Sequence, residues 1–362
     1  MPHSLDKPML FISLAILIVG LLILASASMV ISQKNFGTIS FYILRQFLYG
    51  GILGGLVLAF TQWLPYRVWK RFALPLMILS FLLAALLFLP QLSYVAGGAR
   101  RWLHIGSFSF QPSEVLKFSF LVYLASWLDA RRKEIKSVSY GMIPFSIMIA
   151  IVGTFLVMQK DIGTLGVIVA TAGILYFLGG GKISQMAMLG LFGLIALLLL
   201  IQIEPYRLNR VLVFLHPQTD PKGVGYQINQ ASIGIGSGGF WGLGFGKSLQ
   251  KYSYLPEPMG DSIFAIFAEE TGFIGACGLL ALFAAFFWRG LFIAKRAPDM
   301  FGKLLAAGIS AGILTQAFIN MSAISGLLPL TGIPLPMVSY GGTSLVITMA
   351  SIGVLLNISK YG

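Results

Sequence analysis

The amino-acid sequence predicts an all-α, polytopic integral membrane protein with about ten transmembrane helices. Of its 362 residues, 57% are hydrophobic and only 10% are charged, whereas soluble domains carry about 25% charged residues. The apolar residues are grouped into runs of about 20, the length that an α-helix needs to cross the hydrocarbon core of a bilayer. These two observations indicate a membrane-embedded helical bundle and not a soluble globular enzyme.

Ten apolar runs are the predicted spans, and they lie near residues 8–32, 41–63, 72–90, 112–128, 140–158, 162–180, 183–203, 261–294, 303–325 and 338–358. No internal repeat and no long polar linker divides the chain, so residues 1–362 are predicted to form one domain. The longest connection separates the seventh and eighth spans. The substantial outer loops are predicted at about 91–111, 204–260 and 326–337.

The first run contains Ala25-Ser26-Ala27, which resembles a signal-peptide cleavage site. The charged region before it is weak, however, and the apolar run continues to Ile31, so we expect a retained transmembrane span. The single cysteine, Cys277, excludes an intramolecular disulfide.

The distribution of lysine and arginine predicts the orientation of the bundle. If the N-terminus is cytoplasmic, the cytoplasmic loops hold 14 of these residues and the outer loops hold nine. An excess of positive charge marks the cytoplasmic side, so both termini are predicted to be cytoplasmic. The net charge of +13 then reflects this bias and contact with anionic membrane lipids, not nucleic-acid binding.

Four of the twelve carboxylates fall between Tyr254 and Phe273, where the chain enters the eighth span, and they are Glu257, Asp261, Glu269 and Glu270. A carboxylate in or beside the hydrocarbon region is expensive unless it faces water, a partner charge or a substrate. Asp261 is thus a candidate site residue and also a candidate helix N-cap, and the two roles are compatible. Glu257 is expected to shape its loop or to pair with Lys251.

Glu269 and Glu270 lie about 12 Å farther along the same helix, where buried ion pairs are the expected role. Arg45, in the second span, is a possible partner.

The long outer loop has two alternative interpretations. Its glycine-dense run from Gly234 to Gly246 permits close backbone approach, so the loop could fold back as a re-entrant lining of a cavity. Composition alone favours a flexible loop. Arg207 and Arg210, near its start, are of the residue type that binds phosphate bidentately.

Five ordered segments resemble the SEDS family (shape, elongation, division and sporulation). They are 97–117, 159–164, 225–230, 255–272 and 332–342. The match spans nearly the whole chain. The sequences at the end of the first span and in the long loop resemble the division branch of the family more than its elongation branch.

The resemblance implies a peptidoglycan glycosyltransferase. Such an enzyme polymerises lipid II at the outer face of the cytoplasmic (inner) membrane, together with a class B penicillin-binding protein and other division proteins. The 4-hydroxyl of an acceptor N-acetylglucosamine attacks the anomeric carbon of N-acetylmuramic acid, and undecaprenyl diphosphate leaves. Converting an α-linked donor into a β-linked product is an inversion, so a base and cations suffice and no enzyme nucleophile is required.

The resemblance also implies site residues. Asp261 matches the essential aspartate of the family and is predicted to be the catalytic base. Lys117 and Asp161 match polar residues of a central cavity, where they either bind substrate or neutralise each other; Glu114 shares a helical face with Lys117. The predicted substrate-binding residues are Arg100, Arg101, Trp102, Glu114, Lys117, Asp161, Arg207, Arg210, Gln227, Glu257 and Ser339. Trp102 has a membrane-interface role as its alternative, and the arginines have headgroup anchoring as theirs.

No tightly bound cofactor is expected. A divalent cation, Mg²⁺ or Mn²⁺, could bridge the diphosphate and Asp261 or Glu257, because hard cations prefer oxygen ligands. The main rival function is a lipid II flippase, which would depend on charges along a transmembrane path. A non-catalytic scaffold would tolerate loss of the Asp261 carboxylate.

Overall fold

The computed structural model describes residues 4–89, 91–96, 99–105 and 108–362. The helices in chain order are α1 (Lys7–Phe36), α2 (Phe41–Arg45), α3 (Leu53–Trp63), α4 (Tyr66–Arg71), α5 (Ala73–Ala85), α6 (Pro112–Ala130), α7 (Ile143–Met158), α8 (Ile162–Leu178), α9 (Ile183–Ile203), α10 (Pro205–Leu215), α11 (Val224–Ser237), α12 (Ile263–Arg296), α13 (Met300–Ile324) and α14 (Gly342–Ser359). A π-helix, Gln46–Ile52, joins α2 to α3, and another, Val138–Met142, precedes α7. Short 3₁₀ turns follow α5 and α10.

The predicted fold class is confirmed, and the predicted spans correspond to helices. Seven helical segments are long and apolar enough to cross a membrane. The shorter apolar helices Ala73–Phe88 and Ile162–Leu178 and the charge-bearing helix α6 account for the other three runs. The boundaries agree closely because each span is set by the physical thickness of a bilayer.

Both termini lie at one end of the bundle. The backbone nitrogen of Asp6 lies 3.3 Å from the Ser359 hydroxyl, and its carboxylate pairs with Arg289 at 2.7 Å. We call this the terminal end and the opposite end the Asp261 end. α1 is packed into the bundle along its length, since Ser26 donates a 2.5 Å hydrogen bond to Glu270 of α12.

Helices α13 and α14 form the centre of the bundle, whereas α9 lies at its periphery. In the most apolar 18-residue stretch of α13, and likewise of α14, 72% of the residues are buried inside the protein, whereas in that of α9 0% are. A helix that is apolar all round and unburied by protein is suited to face lipid.

The segment predicted as the first outer loop contains a small antiparallel sheet. Strands β1 (Ser93–Ala96), β2 (Ala99–Ile105) and β3 (Phe108–Phe110) pair in that order. In the second pairing Leu103 lies opposite Phe110. The sheet leads directly into α6 and fixes β2, which carries Arg101 and Trp102, over the Asp261 end.

The long connection at 204–260 is folded, and the expectation of a flexible loop is wrong. It contains α10 and α11, and its glycine-rich turn bonds to α12. The Leu243 nitrogen donates to the Glu269 carbonyl and the Gly244 nitrogen to the Glu270 carbonyl, both at 3.0 Å. These carbonyls are released from the helix by a kink at Gly272 (φ 69°, ψ −167°), where a Cβ atom would lie 2.3 Å from the Gly242 nitrogen.

Candidate active site

A cavity of about 460 Å³ opens at the Asp261 end of the bundle. Helix α2, the sheet, the turn before α12 and the segment before α14 form its walls. Its lining residues are Arg45, Gln46, Tyr49, Arg101, Trp102, His104, Ser109, Gln111, Glu257, Met259, Gly260, Asp261, Gly332, Pro334, Tyr340, Gly341, Gly342 and Ser344. The cavity therefore combines carboxylates, arginines and aromatic side chains in one place.

Asp261 presents its carboxylate to this cavity. Ser262, and not Asp261, occupies the N-cap position of α12, and no side-chain cap hydrogen bond is present there. The predicted helix-cap role of Asp261 is therefore wrong. The half-buried carboxylate accepts hydrogen bonds from the Gln227 amide at 3.3 Å and the Ser262 hydroxyl at 3.4 Å. None of the ion pairs within the described part of the chain includes Asp261.

Three consecutive backbone carbonyls hold the turn that carries Asp261. The Met259 carbonyl accepts from the Tyr340 nitrogen at 2.8 Å, and the Gly260 carbonyl accepts from the Ser339 hydroxyl at 2.7 Å. The Asp261 carbonyl accepts from the Asn320 amide at 2.9 Å. The turn is thus clamped to α13 and to the segment before α14, which fixes the position of the carboxylate.

Asn320 is a residue that the sequence prediction missed. Its amide nitrogen also donates to the Ile333 carbonyl at 2.8 Å, so one side chain joins the Asp261 turn to the segment 326–341. Its signal in the sequence is a single asparagine in an apolar helix, and nothing local identifies its partners.

The environment raises the pKa of Asp261 to about 6. Burial makes the largest contribution, and the negative charge of Glu257 adds to it. The positive charge of Arg210 and the hydrogen bond from Ser262 act in the opposite direction. A carboxylate with this pKa is ionised at neutral pH and is a stronger base than an ordinary aspartate, which suits it to accept a proton.

Arg101 and Trp102, two of the predicted substrate-binding residues, line the cavity. A Cβ atom at Gly332 would lie 3.7 Å from Nη1 of Arg101 and 3.8 Å from an Asp261 carboxylate oxygen, so both groups face the same point. Nη2 of Arg101 donates to the Lys160 carbonyl. Arg100, on the same strand, is exposed and does not line this cavity.

The two arginines of α10 lie outside the cavity lining. Arg207 is 8% exposed and donates to the carbonyls of Leu200 at 2.9 Å and Val157 at 3.5 Å, which braces α10 against its neighbours. Arg210 donates to the Leu330 carbonyl at 2.8 Å and acts on Asp261 through its charge. The structure therefore offers no direct phosphate-binding position for Arg207.

Lys117 lies in a second, much smaller cavity of about 50 Å³ within the bundle. Its amine pairs with Glu114 at 2.9 Å and donates to Gln316 at 2.5 Å. Asp161 instead caps α8 by accepting from the Thr164 nitrogen at 3.3 Å. The alternative in which Lys117 and Asp161 neutralise each other is therefore wrong, and Glu114 is the ion-pair partner of Lys117.

Glu269 and Glu270 are buried, as predicted, but their partners differ from those expected. Lys251 pairs with Glu270 at 3.2 Å, and both side chains are 0% exposed. The predicted Lys251–Glu257 pair is thus wrong. Glu257 shapes the loop, since its backbone has φ 49° and its carbonyl accepts from the Gly260 nitrogen at 3.0 Å. Arg45, proposed as the partner of these acids, lines the Asp261 cavity.

The remaining predicted residues support the site. Gln227 bonds both Asp261 and the Ser262 hydroxyl, the latter at 2.8 Å, and Ser339 bonds the Asp261 turn. The described residues contain no group of three or more His, Cys, Asp and Glu side chains that could hold a metal ion. Glu257 and Asp261 are the carboxylates that the described residues contribute to the cavity lining.

These features define a polytopic membrane protein with a clamped, high-pKa carboxylate in a cavity at one end of a helical bundle. The family model of the FtsW, RodA and SpoVE proteins, described as "Cell cycle protein", matches residues 7–362. The chain belongs to this family, and the predicted family membership is confirmed.

Two relatives cover nearly the whole chain. Stage V sporulation protein E of Bacillus subtilis (strain 168) is 40% identical, with 99% of this chain and 98% of that protein covered. The probable peptidoglycan glycosyltransferase FtsW of Geobacter sp. (strain M18) is 36% identical, with 98% and 96% covered.

Solved structures have the same fold. A chain from a structure titled "Structural coordination of polymerization and crosslinking by a peptidoglycan synthase complex" superposes with a TM-score of 0.80 at 29% identity, covering 98% of both chains. The rod shape determining protein RodA of Thermus thermophilus superposes with a TM-score of 0.74 at 27% identity, covering 99% of this chain and 98% of that chain.

Proposed function

We infer that this chain is an inverting peptidoglycan glycosyltransferase that polymerises lipid II into glycan strands during cell division. Its relatives include proteins named probable peptidoglycan glycosyltransferase FtsW. The observation that carries the inference is the Asp261 carboxylate. It lies in a cavity of about 460 Å³, its turn is held through three carbonyls, and its pKa is raised to about 6.

Asp261 is the general base of the proposed reaction. Its carboxylate takes the proton of the acceptor 4-hydroxyl as the new bond forms between that oxygen and the anomeric carbon of the donor. The bond from this carbon to the diphosphate breaks, and undecaprenyl diphosphate leaves with the electron pair. Arg101, in the same cavity, stabilises the negative charge that develops on the leaving group.

A divalent cation fits the chemistry of this cavity. Glu257 and Asp261 supply two oxygen ligands, and Mg²⁺ commonly binds through one or two carboxylates together with phosphate oxygens and water. When bound, Mg²⁺ or Mn²⁺ would neutralise the diphosphate. Glu257 and Asp261 would be the residues of the cavity lining that hold the cation.

We place the protein in the cytoplasmic membrane with both termini in the cytoplasm. The termini share one end of the bundle, and the excess of lysine and arginine in the loops of that side supports this orientation. The Asp261 cavity then opens at the outer face. There it meets lipid II and works with a class B penicillin-binding protein, a partner supported by the likeness to a peptidoglycan synthase complex.

The charged side chains along the path that a flippase would use form ion pairs within the bundle, which favours a structural role for them. Lys117 is neutralised by Glu114 and Glu270 by Lys251, and the cavity around Lys117 holds only about 50 Å³. The large polar cavity lies instead at Asp261. This contrast favours polymerisation over transport.

The test is polymerisation of labelled lipid II by the wild type and Asp261→Asn, each with its penicillin-binding protein and Mg²⁺ or Mn²⁺. We expect glycan ladders from the wild type and none from the folded variant. Ladders from Asp261→Asn would contradict the assigned base. A wild type that makes no glycan but moves lipid II across vesicles would instead establish the flippase.

A further inference from the structure

We propose that Arg45 and Arg101 together form the subsite that binds the diphosphate of a lipid-linked sugar donor. This proposal rests on the proposed function, because it assigns the leaving group of that reaction to a place in the cavity. Arg45 is the last residue of α2 and Arg101 lies on β2, and both arginines line the cavity that holds Asp261.

The π-helix after Arg45 explains why this part of the second span faces the cavity. Arg45 and Tyr49 are four residues apart, so they lie on one face of this helical segment. Both line the Asp261 cavity, as does Gln46. π-Helical segments are rare and are frequently found at functional sites. A Cβ atom at Gly50 would lie 2.7 Å from the Leu345 side chain, so the π-helix is packed closely against α14.

Hydrogen bonds connect this segment to the Asp261 turn. The Gln46 side chain donates to the Ser339 carbonyl at 3.4 Å and accepts from the Gly341 nitrogen at 3.1 Å. Ser339, in turn, donates to the Gly260 carbonyl at 2.7 Å. One turn therefore fixes both Asp261 and the residue next to Arg45, which sets the arginine and the carboxylate in a defined relation.

The charge of Arg45 acts inside the cavity. Burial raises the pKa of Tyr340, a lining residue, and the positive charge of Arg45 opposes this rise. The guanidinium also lies 6.0 Å from the centre of the Tyr49 ring. These two contacts place its charge at the cavity wall.

The two guanidinium groups of the cavity point to a phosphate-bearing ligand. Arg45 and Arg101 line the cavity together, and a guanidinium is the group best matched to phosphate oxygens because it binds them bidentately. Because Asp261 is assigned to the acceptor hydroxyl, the two arginines are assigned to the anionic part of the donor.

The surroundings of Arg45 indicate a lipid-linked ligand and not a soluble one. Leu44, Phe47 and Leu48 adjoin it on the second span and are exposed on the surface of the bundle. A diphosphate held at Arg45 would leave its apolar chain along this surface, in contact with the membrane. A sugar nucleotide has no group to occupy that position.

The first test measures binding without turnover. Full-length Asp261→Asn protein in nanodiscs is titrated with farnesyl diphosphate and with farnesyl monophosphate. Adding Arg45→Gln should weaken farnesyl diphosphate binding by about ten- to a hundred-fold, the range expected for one charged hydrogen-bonding group, and should weaken the monophosphate less. Arg45→Lys keeps the charge but loses the bidentate geometry, so its affinity for farnesyl diphosphate should lie between those of the parent and of Arg45→Gln.

Arg71→Gln is the matched control, because this exposed arginine lies at the end of α4, at the terminal end of the bundle. It should bind both probes as the Asp261→Asn parent does. Unchanged farnesyl diphosphate binding in Arg45→Gln, with thermal unfolding like that of the parent, would overturn the proposal. A misfolded Arg45→Gln leaves Arg45→Lys to decide, since binding equal to the parent there would also overturn it.

Polymerisation separates this proposal from the proposed function. Arg45→Gln should lower kcat/KM for lipid II by a similar factor in the otherwise wild-type chain. If the wild type fails to polymerise while diphosphate binding depends on Arg45, the subsite stands and the glycosyltransferase assignment fails. If the wild type polymerises and Arg45→Gln is as active, the subsite fails and the glycosyltransferase assignment stands.

Discussion

Asp261 and the pair Glu269–Glu270 lie within ten residues of one another, yet their environments are opposite. Glu270 accepts from Lys251 at 3.2 Å in a fully buried pair. Glu269 accepts from the Ser248 hydroxyl and from two backbone nitrogens. Asp261 faces a cavity, and from the described residues its carboxylate receives two long side-chain hydrogen bonds, at 3.3 and 3.4 Å.

This difference separates structural acids from a reactive one. A buried carboxylate that accepts from several fixed donors, as Glu269 and Glu270 do, stabilises the fold and has little capacity to take part in chemistry. A carboxylate held by its backbone and left open at its oxygens can accept a proton from a ligand. In this protein the structural acids and the reactive acid thus differ in the groups to which their carboxylates are bonded.

The largest expected effect is the loss of stability on breaking the buried pair. Lys251→Met would leave Glu270 charged and unpaired, which costs about 3–5 kcal/mol in buried pairs. Thermal unfolding in detergent measures this loss. The double variant Lys251→Met/Glu270→Gln should recover much of the stability, because no buried charge remains. Equal instability of the single and double variants would show that the ion pair is not what matters there.

The second prediction concerns the clamp on the Asp261 turn. Asn320→Ala removes the hydrogen bonds to the Asp261 and Ile333 carbonyls, and the freed turn should lower kcat for lipid II polymerisation about tenfold, because small misplacements of reacting groups are expensive. KM should change less, since the groups that bind the substrate remain.

Asn357→Ala is the matched control for the clamp. Asn357 is also a buried asparagine that donates to a carbonyl, that of Gln62 at 2.7 Å, but at the terminal end of the bundle. Its loss should lower thermal stability and leave kcat unchanged. A similar fall in kcat in both variants would reduce the clamp to a general contribution to stability.

The smallest expected effect is a shift in the pH dependence of polymerisation. With the pKa of Asp261 at about 6, kcat/KM should fall about tenfold per pH unit below that value as the base becomes protonated. Glu257→Gln removes a negative neighbour, so the pKa of Asp261 and the acid limb should move to lower pH. Arg210→Gln removes a positive neighbour and should move both to higher pH. Shifts of the same sign would contradict the assignment of the acid limb to Asp261.

Sequence patterns predicted the spans well because a bilayer imposes one length on every helix. The predicted run 183–203 and helix α9 have the same bounds, Ile183–Ile203. The same reasoning failed for 93–110 and 204–260. These segments fold by contacts with the sheet and with α12, which no local periodicity records.

The candidate site was predictable only in part, for a similar reason. Asp261 and Arg101 stand out because charged residues are scarce and occur in recognisable segments. Glu114, the ion-pair partner of Lys117, is only three residues away, but the contacts of Lys117 with Gln316, of Lys251 with Glu270 and of Asn320 with Asp261 join residues 199, 19 and 59 positions apart. Such pairings follow from tertiary packing and leave no signature in the sequence nearby.

The central claim is that Asp261 serves the chemistry and Glu269 the fold, and one paired measurement tests it directly. Asp261→Asn and Glu269→Gln are compared with the wild type for lipid II polymerisation and for thermal unfolding. Asp261→Asn should lose about 10²- to 10⁴-fold in rate and keep its unfolding temperature. Glu269→Gln should unfold several degrees lower and keep most of its rate below that temperature. An Asp261→Asn variant that polymerises at the wild-type rate would contradict this account.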